Sequence, residues 1–244
     1  MTMLEPCKPS ARVATLPIRP RPLPMNALHV LRDAWFFFSH NLATIARLCL
    51  PLVLLEALVQ QQVTALVGVE SAAVYGILVG LLFYPLYTGA LILFLAARSN
   101  SETPTIRDLL AASLRLWPSF VLMAGLSTLA IMLGASLFVL PGLWIMIKLC
   151  FAECLLVLRG LPPLKALHES FELTSGYFWP ILLCVLCVMV PLWALDWWSQ
   201  PAADSEPDLL LHLLLDGANR FLQLFATVVL FRLFMLRASL PAAE

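Results

Sequence analysis

Charge is what this sequence has least of. Only 12% of its 244 residues are Asp, Glu, Lys or Arg, about half of what an ordinary soluble domain carries. Too few ionised side chains remain to cover a water-facing surface, which excludes a cytosolic enzyme, an exported soluble protein and a disordered regulator. Neither sign is in excess, since 15 basic residues balance 15 acidic ones, so the chain has no basic footprint for nucleic acid. Catalytic signatures are missing too. The four histidines (His29, His40, His168, His212) fall in separate segments, and no P-loop, GxSxG, HExxH or dinucleotide fingerprint occurs. No catalytic residue, no cofactor and no enzymatic activity are therefore expected.

Cysteine is present but not as a secreted disulfide framework. Of Cys7, Cys49, Cys150, Cys154, Cys184 and Cys187, all but Cys7 lie in apolar runs, where they read as small buried residues. Residues 1–24 hold six prolines and four basic residues without an apolar core, so they read as a disordered cytoplasmic tail rather than a signal peptide.

What the chain has in quantity is hydrophobic length: 61% of its residues are hydrophobic. A helix needs about 20 apolar residues to cross the hydrocarbon of a bilayer. Residues 71–97, 116–147 and 173–195 contain no charge at all. The second of these is too long for one crossing, and Pro141-Gly142 is expected to break it in two. Two more spans carry internal charges, Arg47 and Glu56 in one, Arg220 and Arg232 in the other. Six crossings follow, over 42–66, 72–97, 118–139, 141–159, 178–198 and 218–238, making residues 25–240 one all-α transmembrane domain.

Orientation is read from Lys and Arg. Lys8, Arg12, Arg19, Arg21 and Arg32 precede span one; Arg98, Arg107 and Arg115 separate spans two and three; Arg159 and Lys165 separate four and five; the last span ends at Arg237. The alternate loops hold Glu70, Asp196, Asp204, Glu206 and Asp208 but no Lys or Arg. Both termini are thus expected in the cytoplasm. Tryptophan placement agrees, with Trp35, Trp117 and Trp179 on the basic side and Trp144, Trp193, Trp197 and Trp198 towards the other. Before each odd-numbered span lies an amphipathic stretch: ALHVLRDAWFFFSHN, TIRDLLAASLRLW and PPLKALHESFELTSGYFW. The expected unit is an interfacial helix followed by a helical hairpin, used three times.

The stretch from Leu140 to Ile181 carries a Pro-Gly pair (Pro141, Gly142), an apolar helix with a central Lys148, and Ala166, Leu167, Ser170, Leu173, Thr174, Gly176, Phe178 and Trp179 spaced as A-L-x-x-S-x-x-L-T-x-G-x-F/Y-W. In this it resembles the YciC-like family of bacterial inner-membrane proteins, related to the membrane domain of some glycerophosphodiester phosphodiesterases. The resemblance implies an inner-membrane location and a six-helix plan. It does not bring a phosphodiesterase activity, because the chain has no room for a barrel and no carboxylate and histidine cluster.

Charges inside hydrocarbon are costly and are the first candidates for function. Counted at about 1.5 Å per residue, Glu56 lies roughly 15 Å from the outer end of span one and Lys148 roughly 10 Å from that of span four, so an ion pair is expected. Gln60 shares a face with Glu56. Arg47 and Glu153 suggest a second pair, on a different seam because nine residues turn Arg47 to the opposite face from Glu56. Asp216 and Arg220, four apart, read as a local pair. These charges either line a solute or proton path or fix helix register, and register is the plainer reading. Cys150, Cys154, Cys184 and Cys187 are weak candidates for a soft metal. Ala72, Gly76 and Gly80 form a small-residue ridge for helix packing, within the chain or in a homo-oligomer. The expected partners are membrane lipids. The leading functional reading is a non-catalytic role in envelope or lipid homeostasis, and the alternative is a small permease with Glu56 and Lys148 in its path.

Overall fold

The computed structural model describes residues 27–199 and 209–238. Among the described residues the chain forms nine helices and no strand: α1 (Ala27–His40), α2 (Leu42–Val67), α3 (Val69–Ser99), α4 (Ile106–Leu137), α5 (Val139–Leu149), α6 (Ala152–Arg159), α7 (Pro163–Leu173), α8 (Phe178–Ser199) and α9 (Leu209–Ala238). Six segments are long and apolar enough to cross a membrane: 42–67, 74–99, 106–137, 139–159, 178–195 and 217–237. Span four is α5 and α6 together. Helix is forced here by the solvent, since backbone N–H and C=O groups in hydrocarbon must find partners within the segment. The tail 1–24 and Cys7 lie outside the described residues.

Local chemistry sets the boundaries. Gly68 separates α2 from α3 in one residue at φ +80, a left-handed conformation open to glycine, while its N–H bonds back to Thr64. Thr105 caps α4, its hydroxyl accepting the Asp108 N–H and donating to the Asp108 carboxylate. The stretch expected to lie as a separate interfacial helix before span three is therefore the first three turns of α4 itself, which runs through Pro118 unbroken. The break expected at Pro141-Gly142 falls earlier, at Phe138, in extended backbone. Pro141 sits in the first turn of α5, where its missing N–H costs nothing. Gly142 serves close packing instead: a Cβ there would stand 2.9 Å from Ala135 backbone on α4.

Helix α3 is the centre of the molecule, packing against α2, α4, α6 and α9. It runs antiparallel to α2, with Cys49 level with Tyr87 and Gln60 with Gly76. It runs antiparallel to α4 as well, with Ser113 donating to the Leu86 carbonyl and the Trp117 indole to that of Leu82, in the turn that Pro85 opens. Leu91, Ile92 and Leu95 of α3 are fully buried against Val53, Leu155 and Val228 of neighbouring helices. The outside is apolar in the opposite sense. Leu133, Leu137, Phe138, Val139 and Leu140 at the α4–α5 corner and Leu78 and Leu82 on α3 are exposed, a surface that lipid solvates and water does not.

The short helices α1 and α7 are amphipathic in place. Val30, Ala34 and Phe38 of α1 are buried against α8 and α9, while Leu28, Trp35 and Phe36 are exposed. Ala166, Ser170 and Thr174 form a buried row, the first two on α7 and the third at its C-cap; Leu164, Lys165, His168, Phe171 and Glu172 are outside. Helix α7 folds back along α6, and its hydroxyls mend the gap between α5 and α6.

Candidate intramembrane polar site

Three polar groupings lie inside the bundle. The first joins α2, α3 and α9. Glu56 is buried, 3% exposed at its side chain, and its Oε1 accepts from Arg220 Nη1 at 3.0 Å and from Gln60 Nε2 at 3.2 Å. Gln60 Oε1 accepts from Arg220 Nη2 at 2.7 Å, so one guanidinium fork bridges a carboxylate and an amide one turn apart. Gln60 also reaches the Gly76 carbonyl, and a Cβ on Gly80 would stand 3.8 Å from Glu56 Oε1. Gly76 and Gly80 thus supply an acceptor and clearance for the α2 polar stripe; the Ala72 side chain lies outside the described residues. Tyr87 borders the same cluster and interacts with Glu56, Arg220 and Cys49.

The second grouping joins α3 and α6, where the Tyr84 hydroxyl donates to Glu153 at 2.7 Å. The third lies where α5, α6 and α7 meet. Between Leu149 and Ala152 the helix breaks, and Ser170 closes the break from α7: its hydroxyl donates to the Lys148 carbonyl at 2.8 Å and accepts the Phe151 N–H at 3.2 Å. Thr174 adds a second, longer bond to the same carbonyl. The Lys148 ammonium donates to Ser175 Oγ at 2.9 Å and stands over the Phe171 and Trp144 rings.

Several expected partnerships are replaced. Glu56 pairs with Arg220, not with Lys148. The reason is that span four is not one straight helix, and α7 lies against its break and gives Lys148 a local partner. Arg220 reaches across to α2 rather than only along its own helix; the Asp216 side chain is outside the described residues. Arg47 and Glu153 form no pair, since Arg47 is exposed on α2 and Glu153 is turned to Tyr84. The four cysteines do not assemble: Cys184 is buried while Cys187 is exposed, and among the described residues no three His, Cys, Asp or Glu are grouped as for a metal. Arg220, Tyr87, Tyr84 and Ser175 were not singled out by sequence as cross-helix partners. In the folded helices Glu56 stands eleven residues before Val67, the end of α2, and Arg220 eleven after Leu209, the start of α9, so antiparallel packing places them level, whereas the expected span 218–238 puts Arg220 at the outer end.

The six apolar spans define an all-helical, multi-pass integral membrane protein. Compared with known proteins, the chain matches no family model, no curated protein and no solved structure.

Proposed function

We propose that this is a non-catalytic protein of the bacterial inner membrane, of the YciC-like kind and with both termini in the cytoplasm, that acts in envelope or lipid homeostasis through its lipid-facing helices. The observation that carries the reading is how the polar groups of the spans are used. Arg220 is committed to Glu56 and Gln60, Glu153 to Tyr84, and Ser170 to the α5–α6 break. Groups tied to one another across helix seams set register and leave the outer apolar faces of α1 and α7 as the parts that meet lipid.

The reading predicts that cells lacking the protein change phospholipid composition or become more permeable to detergent. A variant with Trp35→Ser and Phe36→Ser on α1 and Leu164→Ser on α7, accumulating normally, should fail to restore the wild-type state. Full restoration by that variant would overturn the reading. A second reading, a small permease, is favoured by one feature: the Glu56, Gln60 and Arg220 cluster bridges two spans with a charge on each. In proteoliposomes a permease should lose solute or proton flux on Glu56→Gln while still folding.

A further inference from the structure

Among the described residues Lys148 is a buried cation with no carboxylate partner. It is 8% exposed, and of its three ammonium N–H donors one goes to the Ser175 hydroxyl. Around it stand two aromatic faces, Phe171 at 4.7 Å and Trp144 at 5.7 Å from the nitrogen to the ring centres. The acids of α6 and α7 have other neighbours: Glu153 bonds Tyr84, Glu169 pairs with Arg159, and the exposed Glu172 lies 3.4 Å from His168.

A second cation meets the same linker. Arg237, at the end of α9, donates from Nε to the Leu173 carbonyl at 3.1 Å and lies 4.2 Å from the centre of the Tyr177 ring. Among the described residues neither Lys148 nor Arg237 belongs to an ion pair. Two cations without an ion-pair partner among the described residues therefore meet the linker from Leu173 to Tyr177, whose Ser175 is exposed. Trp144 and Phe171, whose rings flank Lys148, are exposed, as is Trp179 two residues beyond Tyr177. A buried positive charge is ordinarily neutralised by an anion, and here the protein's own described acids do not provide one.

We propose that this corner binds a phosphate-bearing anion, held by Lys148, Ser175 and Arg237, with the head group of an anionic phospholipid as occupant and its acyl chains against Trp144, Phe171 and Trp179. The proposal deepens the lipid reading above and rests on it for the identity of the occupant, while the phosphate site itself rests on the two cations. An ammonium and a guanidinium give charge-assisted hydrogen bonds to phosphate oxygens, and the rings exclude water from them.

The test uses the full-length chain in neutral detergent, titrated separately with phosphatidylglycerol, phosphatidylcholine and inorganic phosphate, with bound species counted by native mass spectrometry. Phosphatidylglycerol should bind at least about tenfold more tightly than the zwitterionic lipid, and Lys148→Gln or Arg237→Gln should each weaken it about tenfold. Lys148→Arg, which keeps the charge, should bind like wild type, as should Arg47→Gln, which alters an exposed arginine elsewhere. Should Lys148→Gln fail to accumulate, Ser175→Ala serves as the folded variant, with a smaller loss. Lys148-dependent binding of inorganic phosphate but not of lipid would keep the site and replace its occupant. Equal binding by wild type and Lys148→Gln, or no binding of any phosphate species, overturns the proposal. Failure of the cellular lipid phenotype, with binding intact, would instead sink the homeostasis reading alone.

Discussion

At the scale of single residues, the Arg220 fork is the most informative feature of the bundle. It bonds one oxygen of a carboxylate and the oxygen of an amide on α2 from a helix more than 150 residues away in sequence, so it fixes the rotation of α9 against α2. Removing one member of a buried pair costs more than removing both, because the survivor keeps its desolvation penalty. Arg220→Met should therefore lower the melting temperature in detergent, by a destabilisation of about 3 kcal/mol. Adding Glu56→Gln to it should recover much of the loss, a coupling that a double-mutant cycle measures directly. Independent, additive losses would mean the two residues do not act as a pair. Glu56 is legible as a charge inside an apolar span and Gln60 by its i, i+4 spacing from it, whereas depth along the spans points to Lys148 as the partner. Depth is a one-dimensional coordinate, and it cannot say that a helix break and a folded-back neighbour turn Lys148 towards Ser175.

At the scale of elements, hydroxyls and glycines decide where helices stop and how closely they pass. Ser170 supplies both a donor and an acceptor to the backbone exposed between α5 and α6, meeting the Phe151 N–H and, with Thr174, the Lys148 C=O. Ser170→Ala should strand the Phe151 N–H, leave the Lys148 carbonyl only the longer Thr174 bond, and destabilise the protein by about 1–3 kcal/mol. A thermal melt equal to wild type would show that the break is satisfied some other way. The glycines separate into two kinds. Gly142→Ala would push a methyl to 2.9 Å from Ala135 and should lower stability, whereas Gly125 on α4 has open space around it. Gly125→Ala should be neutral or stabilise by up to about 1 kcal/mol through helix propensity, so opposite signs are expected from the same chemical change on neighbouring helices. The existence of all six spans was legible, because long apolar segments with few charges have only one stable form in hydrocarbon, but the start of span three was not: its helix begins at Ile106, twelve residues before the expected 118. Their local details were less so. Pro141-Gly142 looked like a break, yet proline is harmless in a first turn and the glycine was required by a facing helix that no sequence window contains. TIRDLLAASLRLW looked like a separate interfacial helix because its charges recur at helical spacing. It continues into the span because Thr105 caps its start and nothing terminates it before Leu137.

At the scale of the whole molecule, antiparallel packing and charge distribution constrain each other. Helix α3 lies antiparallel to α2 and to α4, so the ends of α2 and α4 that follow Val67 and Leu137 are on one side of the bundle, and the 100–105 connection is on the other. That connection is flanked by Arg98 and Arg107, whereas the α4–α5 corner is wholly apolar, with Phe138, Val139 and Leu140 exposed. Positively charged flanks resist translocation and remain in the cytoplasm. The packing therefore leaves two global orientations, and the basic residues lead us to expect the one with residue 103 inside and residue 70 outside. Extending the alternation through span four puts residue 162 inside, and through span five puts residue 204 outside. Reporter fusions that distinguish cytoplasm from periplasm should read inside at 103 and 162 and outside at 70 and 204. Reversal of all four would keep the bundle and invert the charge argument. A reversal at one position alone would break the alternation, which the antiparallel seams do not permit, and the six-span architecture would fall with it.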